Sequence, residues 1–177
     1  MRKALYLMGI LDDRDLEWLV KNGEAQFIKS GTTLIQEGGS IDSLYVLLDG
    51  KLSVTIGRGV EVASLLSGEI VGEMSFVDSR PPSASVVAIQ DCQVLTVPRA
   101  SLKRRLEEDE AFAARFYRAM AVYLADRLRT TVSRFGYGSA KQDADPHQVD
   151  ELDDEMMDSM SLAAVRFDEL LRRLRVN

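Results

Sequence analysis

Cysteine and histidine each occur once in 177 residues, as Cys92 and His147. A single cysteine forms no internal disulfide, so nothing here indicates a disulfide scaffold or an oxidising compartment. In QDCQVLTV, Cys92 alternates with polar neighbours and reads as a small apolar core side chain. One histidine builds neither an HExxH site nor a cupin-type cluster, and His147 lies in the acidic run DADPHQVDELDD, where it reads as solvated. A P-loop and a nucleophile elbow are also missing, so the chain reads as a non-enzyme. Positive charge is scarce as well: 22 Lys and Arg stand against 28 Asp and Glu, a formal net charge of -6. Such a surface does not coat nucleic acid or an anionic membrane. Long apolar runs are lacking too, because MRKALYLMGILDDRD meets Asp12 and Asp13 too soon for a signal peptide or a membrane span. The expected location is cytoplasmic.

What is present divides into five stretches. DDRDLEWLVKNG places Leu16, Leu19 and Val20 at helical spacing behind acidic residues and ahead of Gly23, which predicts a short N-terminal helix. Residues 26–98 then show short β-type runs between glycine turns, at the regular spacing of a sandwich or jelly roll. Asp49-Gly50 predicts a tight hairpin turn between two of them. From Ser101 the chain carries no proline or glycine until Gly136, so one long helix is expected. Within it Arg115, Arg118, Asp126 and Arg129 form a narrow polar stripe. Phe112, Phe116, Met120, Leu124, Leu128 and Phe135 fill another side, widened by Ala113, Tyr117, Ala121 and Tyr123. So wide an apolar surface predicts that one side covers the barrel and another pairs with a second copy, a homodimer through residues 112–135.

Residues 137–158, with glycines, a proline and the acids Asp150, Glu151, Asp153, Asp154 and Glu155, read as a solvated linker. Residues 159–177 read as an amphipathic helix with an apolar stripe of Met160, Ala164, Phe167, Leu171 and Leu174. It docks either on its own barrel or on an unidentified protein partner; both remain open from sequence. The fold class is therefore mainly β, a jelly-roll barrel with a short N-terminal helix, a long C-terminal dimerisation helix and an extra amphipathic helix.

The glycine frame KSGTTLIQEGGSIDSLYVLLDGKLSV, the turn SGEIVGEM and the segment SASVVA together resemble the cyclic nucleotide-binding domain family, the sensor module of catabolite-activator-type regulators and kinase regulatory subunits. The resemblance spans about residues 11–136 within a first domain of residues 1–136. It implies that GEMSFVDSRPPSAS is a phosphate-binding cassette whose amides and one arginine grip a cyclic phosphate, while a glutamate accepts from the ribose 2′-hydroxyl. Gly72, Glu73, Met74 and Ser75 match the first part, and Ser83, Ala84 and Ser85 match its small-residue end. The family's arginine position carries Pro82. Arg80 lies two residues upstream behind the stiff Pro81-Pro82 pair and does not obviously replace it. The resemblance also implies that Thr131, in ADRLRTTVS, lies near the base. Cyclic AMP or cyclic GMP is thus expected to bind weakly or not at all, with no other cofactor implied.

Three readings stay open: a nucleotide held through Ser83, Ser85 and amides with Arg80 reaching in, a different small molecule, or an empty pocket on a dimeric adaptor that docks a partner through its C-terminal tail. Relatives that bind DNA carry a helix-turn-helix after the long helix, but the 41 residues after Gly136 are rich in acid, and no DNA binding is expected. Iron–sulfur and haem variants need ligands that one cysteine and one histidine cannot supply in the usual way.

Overall fold

The computed structural model describes residues 9–134 and 154–175. Helix α1 (Asp13–Asn22) begins at a reciprocal cap: the Asp12 carboxylate accepts from the Asp15 N–H at 2.9 Å, and the Asp15 carboxylate accepts from the Asp12 N–H at 3.0 Å. Asp15 is fully buried, and Arg115 of the long helix donates to both of its oxygens, at 2.7 and 2.9 Å. The two helices are thereby tied across a hundred residues of chain.

Eight strands follow: β1 (Glu24–Ile28), β2 (Thr33–Ile35), β3 (Ser43–Asp49), β4 (Lys51–Ile56), β5 (Val60–Leu66), β6 (Ile70–Val71), β7 (Ser85–Ala88) and β8 (Cys92–Pro98). They form two four-stranded antiparallel sheets, ordered β1-β8-β3-β6 and β2-β7-β4-β5, the two faces of a jelly roll. The runs read from sequence all become strands except that β6, two residues long, was not among them. Asp49-Gly50 is not a hairpin turn. β3 and β4 lie in different sheets, so Gly50, at φ 104°, turns the corner between them. A Cβ there would sit 2.6 Å from the Cys92 sulfur and 2.7 Å from the Asp91 carbonyl oxygen, which no side chain tolerates.

The sheets enclose one core, with Ile35, Leu47, Leu52, Leu65, Val71, Val86 and Val94 facing each other between them. The outer face of the first sheet carries a second core, in which Leu44, Val46, Leu48, Ile70, Leu95 and Val97 meet the helices. β3 is apolar on both faces because it serves both cores, which explains its unbroken run LYVLL.

The expected single helix after Pro98 is two: α3 (Arg99–Glu108) and α4 (Glu110–Arg134), with the short α2 (Glu73–Asp78) between β6 and β7. The break falls at Asp109, which leaves helical geometry at φ -135°, ψ 94° and caps α4 by accepting from the Phe112 N–H at 2.9 Å. On α4 the apolar residues separate onto two sides. Phe112, Phe116, Ala119, Met120 and Tyr123 are buried against the barrel, whereas Tyr117, Leu128 and Val132 are exposed, Leu128 by 64%. Leu128 therefore does not share the Phe112 face, to which sequence reading assigned it.

The last helix, α5, runs Asp154–Arg175 and so starts five residues before the expected 159. Residues 137–153 of the expected linker, His147 among them, lie outside the described residues. α5 packs on its own chain. Ala163, Leu170 and Leu174 are buried in the helical core with Phe167 and Leu171 beside them, and Arg166 donates to the Asp13 carboxylate at 2.8 Å and the Leu11 carbonyl at 2.7 Å. Ala164, placed on the apolar stripe from sequence, is exposed, and Ala163 takes its place. No described helix is long and apolar enough to cross a membrane.

Candidate functional site

β6 leads into the site. As an edge strand it presents backbone groups with no neighbouring strand, and α4 supplies the missing partner: the Ile70 N–H donates to the Tyr123 hydroxyl at 3.0 Å, and the hydroxyl donates to the Ile70 carbonyl at 2.9 Å. Tyr123 is 1% exposed. Burial pushes its phenol well above the usual range, so the hydroxyl keeps its proton and serves as donor and acceptor at once.

Two residues on, Gly72 adopts φ 88°, and a Cβ would lie 2.6 Å from Ile41 Cδ1 and 3.2 Å from the Ser43 carbonyl oxygen. Only glycine makes this turn without displacing its neighbours. It delivers Glu73 to the start of α2, pointing inward with 3% of its side chain exposed. Arg99 holds α2 in place by donating to the Ser75 carbonyl at 2.7 Å and the Ile41 carbonyl at 2.9 Å, with its guanidinium 5.7 Å from the Phe76 ring centroid. Further along, the Gly38 N–H donates to the Pro82 carbonyl at 2.8 Å. The Ser85 hydroxyl accepts from the Glu37 N–H at 3.0 Å and from Gln36 Nε2 at 3.3 Å.

These elements enclose a cavity of about 60 Å³, lined by Ile35, Val54, Val71, Gly72, Glu73, Met74, Ser75, Pro82, Ser83, Ala84, Val86 and Arg127. Seven of the residues singled out from sequence meet here: Gly72, Glu73, Met74, Ser75, Pro82, Ser83 and Ala84. Ser85 does not line it and instead ties the segment to the β2 end. Arg80 does not reach it. Its side chain is 84% exposed, with Nε 3.9 Å from the Asp78 carboxylate, to which its backbone N–H also donates at 3.0 Å. Thr131 lines a second cavity of about 320 Å³ together with Val60, Glu61, Ser64, Glu69, Thr130 and, again, Arg127; its hydroxyl donates to the Arg127 carbonyl at 2.8 Å.

Arg127 thus stands between two cavities, and sequence reading did not single it out. Its Nη1 donates to the Glu73 carboxylate, and its guanidinium lies 5.6 Å from the Tyr123 ring centroid. Burial pushes the Glu73 carboxyl above its ordinary range while the neighbouring guanidinium pulls it back. A signal was available. The barrel face of α4 steps through Phe112, Phe116, Met120 and Tyr123, and the next step along that face is Arg127, a charge where the pattern calls for an apolar residue.

The smaller cavity, at about 60 Å³, is well under the roughly 300 Å³ at which ligand pockets begin. Among the described residues, Arg127 is the side chain that lines both this cavity and the larger one. Among the described residues no group of three or more His, Cys, Asp or Glu is placed to hold a metal ion.

Comparison with known proteins gives concordant results. Residues 25–109 match the sequence family described as cyclic nucleotide-binding domain. Over 112 residues, 63% of this chain, the sequence is 31% identical to the Pycsar effector protein XpPycTIR of Xanthomonas perforans, of which the match spans only 37%. The structure is similar to the N-terminal domain of a transcriptional regulator from Streptomyces coelicolor A3(2), with 29% identity and a TM-score of 0.58 over 82% of this chain and 99% of that one. It is also similar to the regulatory domain of Toxoplasma gondii PKA crystallised with cAMP, with 25% identity and a TM-score of 0.51 over 56% of this chain and 39% of that one.

Proposed function

Residues 25–109 belong to the cyclic nucleotide-binding domain family, and from that premise we propose that this chain is a non-enzymatic regulatory sensor whose pocket binds a cyclic nucleotide weakly. One observation carries the reading: the cavity that gathers Gly72, Glu73, Ser83 and Ala84 has Pro82 in its wall where the family places an arginine. The frame of a nucleotide site is kept, and its usual cation is replaced by a side chain that offers neither charge nor amide donor. Loss of one partner from a buried, hydrogen-bonded charge pair costs about 2–5 kcal/mol, on the order of 30-fold to several-thousand-fold in affinity. Cyclic AMP and cyclic GMP are the first ligands to test, a relative's regulatory domain having been crystallised with the former.

The output is proposed to pass through α4. Its exposed residues Tyr117, Ala121, Leu128 and Thr131, with the half-buried Leu124 between them, recur at steps of four and three, the seam of a two-helix contact, and a second copy of the chain is the partner that such a self-complementary stripe fits. Tail-mediated docking of another protein is the weaker account, because the apolar side of α5 is engaged with its own core through Ala163, Leu170 and Leu174.

The reading is tested by calorimetric titration of the purified protein with cyclic AMP and cyclic GMP beside a Pro82→Arg variant. Weak binding by the native chain and tighter binding by the variant is the expected result. Tight binding by the native chain overturns the inference from Pro82, and silence from both overturns the nucleotide reading.

A further inference from the structure

The electrostatics of the smaller cavity require a cation from somewhere. Glu73 is a buried carboxylate in its wall, and an anionic ligand entering beside it meets repulsion unless a positive charge shares the space. Among the described residues lining the cavity, Arg127 is the one cation. A guanidinium carries five N–H donors in a planar fork, and this one uses Nη1 on Glu73; Nε and Nη2 make no hydrogen bond to another described residue. Arg127 lines both cavities, so a ligand entering either one meets this side chain while Nη1 stays on Glu73.

We propose that Arg127 is the anion grip of this pocket, a role moved from the loop at position 82 to the long helix. The proposal rests on the nucleotide reading above and names the residue that gives it its charge selectivity. The ligand class is a singly charged phosphodiester, bridged by the guanidinium to Glu73 so that one cation serves two anions. The move has a mechanical consequence. A cassette arginine reports ligand charge to the loop, whereas Arg127 reports it to α4, one residue from the exposed Leu128.

The test compares the affinity for cyclic AMP and cyclic GMP with that for the uncharged nucleosides adenosine and guanosine, in the native chain, Arg127→Gln, Arg127→Lys, Glu73→Gln/Arg127→Gln and Arg127→Gln/Pro82→Arg. The ratio of the two affinities reads charge recognition alone, because damage to folding affects both ligands. The native chain is expected to favour the charged ligand by roughly ten- to hundredfold, the worth of hydrogen bonds to a charged group. In Arg127→Gln the ratio falls toward one; in Arg127→Lys part of it survives; adding Pro82→Arg restores it. The Glu73→Gln/Arg127→Gln pair, which keeps a neutral hydrogen bond and leaves no lone buried carboxylate, is expected to lack the preference as well.

An unchanged or higher ratio in either glutamine variant shows Arg127 to be a plug that the ligand displaces and overturns the proposal while the nucleotide reading stands. Binding by Pro82→Arg but not by the native chain has the same meaning. If neither binds any nucleotide, the reading beneath the proposal fails and takes the proposal with it.

Discussion

Replacing Tyr123 by phenylalanine removes one oxygen atom and disconnects α4 from β6. The hydroxyl satisfies both the N–H and the carbonyl of Ile70, at 3.0 and 2.9 Å, in a position 1% exposed, so neither group regains a water molecule when it goes. A buried backbone group left without a partner costs about 1–3 kcal/mol, so two of them cost on the order of 2–6 kcal/mol. That is a large part of the roughly 5–15 kcal/mol that holds a domain folded. For a chain of this length each kcal/mol lowers the midpoint of thermal unfolding by about 2–4 °C, giving an expected fall of roughly 4–24 °C. Urea denaturation of the native and Tyr123→Phe proteins, followed by far-ultraviolet circular dichroism, measures the free energy directly. A loss below about 1 kcal/mol would refute the reasoning, since it would mean that β6 finds other partners and that the phenol is not what closes the sheet edge.

Other consequences follow from contacts elsewhere in the fold. Arg115→Ala leaves the fully buried Asp15 without its bidentate partner and is expected to cost on the order of 2 kcal/mol, less than a fully buried pair because Arg115 is partly exposed; denaturant titration reads it. Burial pushes the Asp15 carboxyl up, but the Arg115 hydrogen bonds and the Asp12 N–H outweigh it and hold the group below its ordinary value. Its stabilising effect is therefore full above the ordinary carboxylate range and is lost as pH falls through the depressed folded value. The acid limb of the stability profile below about pH 4 should flatten in the variant. Gly50→Ala, at φ 104° with a new Cβ 2.6 Å from the Cys92 sulfur, should cost more than the roughly 1–2 kcal/mol of left-handed backbone alone, and a thermal melt unchanged within 2 °C would contradict it. Leu128→Asp is expected to convert a dimer to a monomer in sedimentation equilibrium; a native chain already monomeric at about 50 µM would sink the α4 seam, since stable interfaces hold well below that concentration.

Most of the fold was legible because its signals are local. Alternating or continuous apolar runs bounded by glycine gave the position of seven strands. The features that escaped depend on which elements meet in space. β6 is too short to carry a pattern, and its outer edge is satisfied by Tyr123, more than fifty residues later, in the place of a neighbouring strand. The corner at Asp49-Gly50 has the dipeptide of a hairpin, yet whether the following strand folds back or crosses to the other sheet is decided by the packing of Leu52 and Val54 into the inner core. The break at Asp109 needs neither glycine nor proline. An aspartate within a charged run marks a helix start only when its carboxylate turns to the backbone, as it does toward the Phe112 N–H.

The site divides in the same way. Gly72 and Glu73 were readable because backbone geometry fixes the residue type at a tight turn, and Pro82 was readable as a departure from it. Arg127 was not, because DRLRTT looks like the solvated end of a helix. Its meaning lies in the register of α4: four residues after Tyr123, it continues the buried face into the cavity, while Leu128 beside it continues the exposed one. One turn of helix therefore carries the charge that holds Glu73 and the apolar side chain best placed to meet a second copy. A helix is stiff over one turn, so a shift of α4 that carries Arg127 and Glu73 toward a ligand also moves Leu128. If that seam is occupied, the pocket and the partner are joined by a single rigid element, and the affinity of each depends on the other by the same factor.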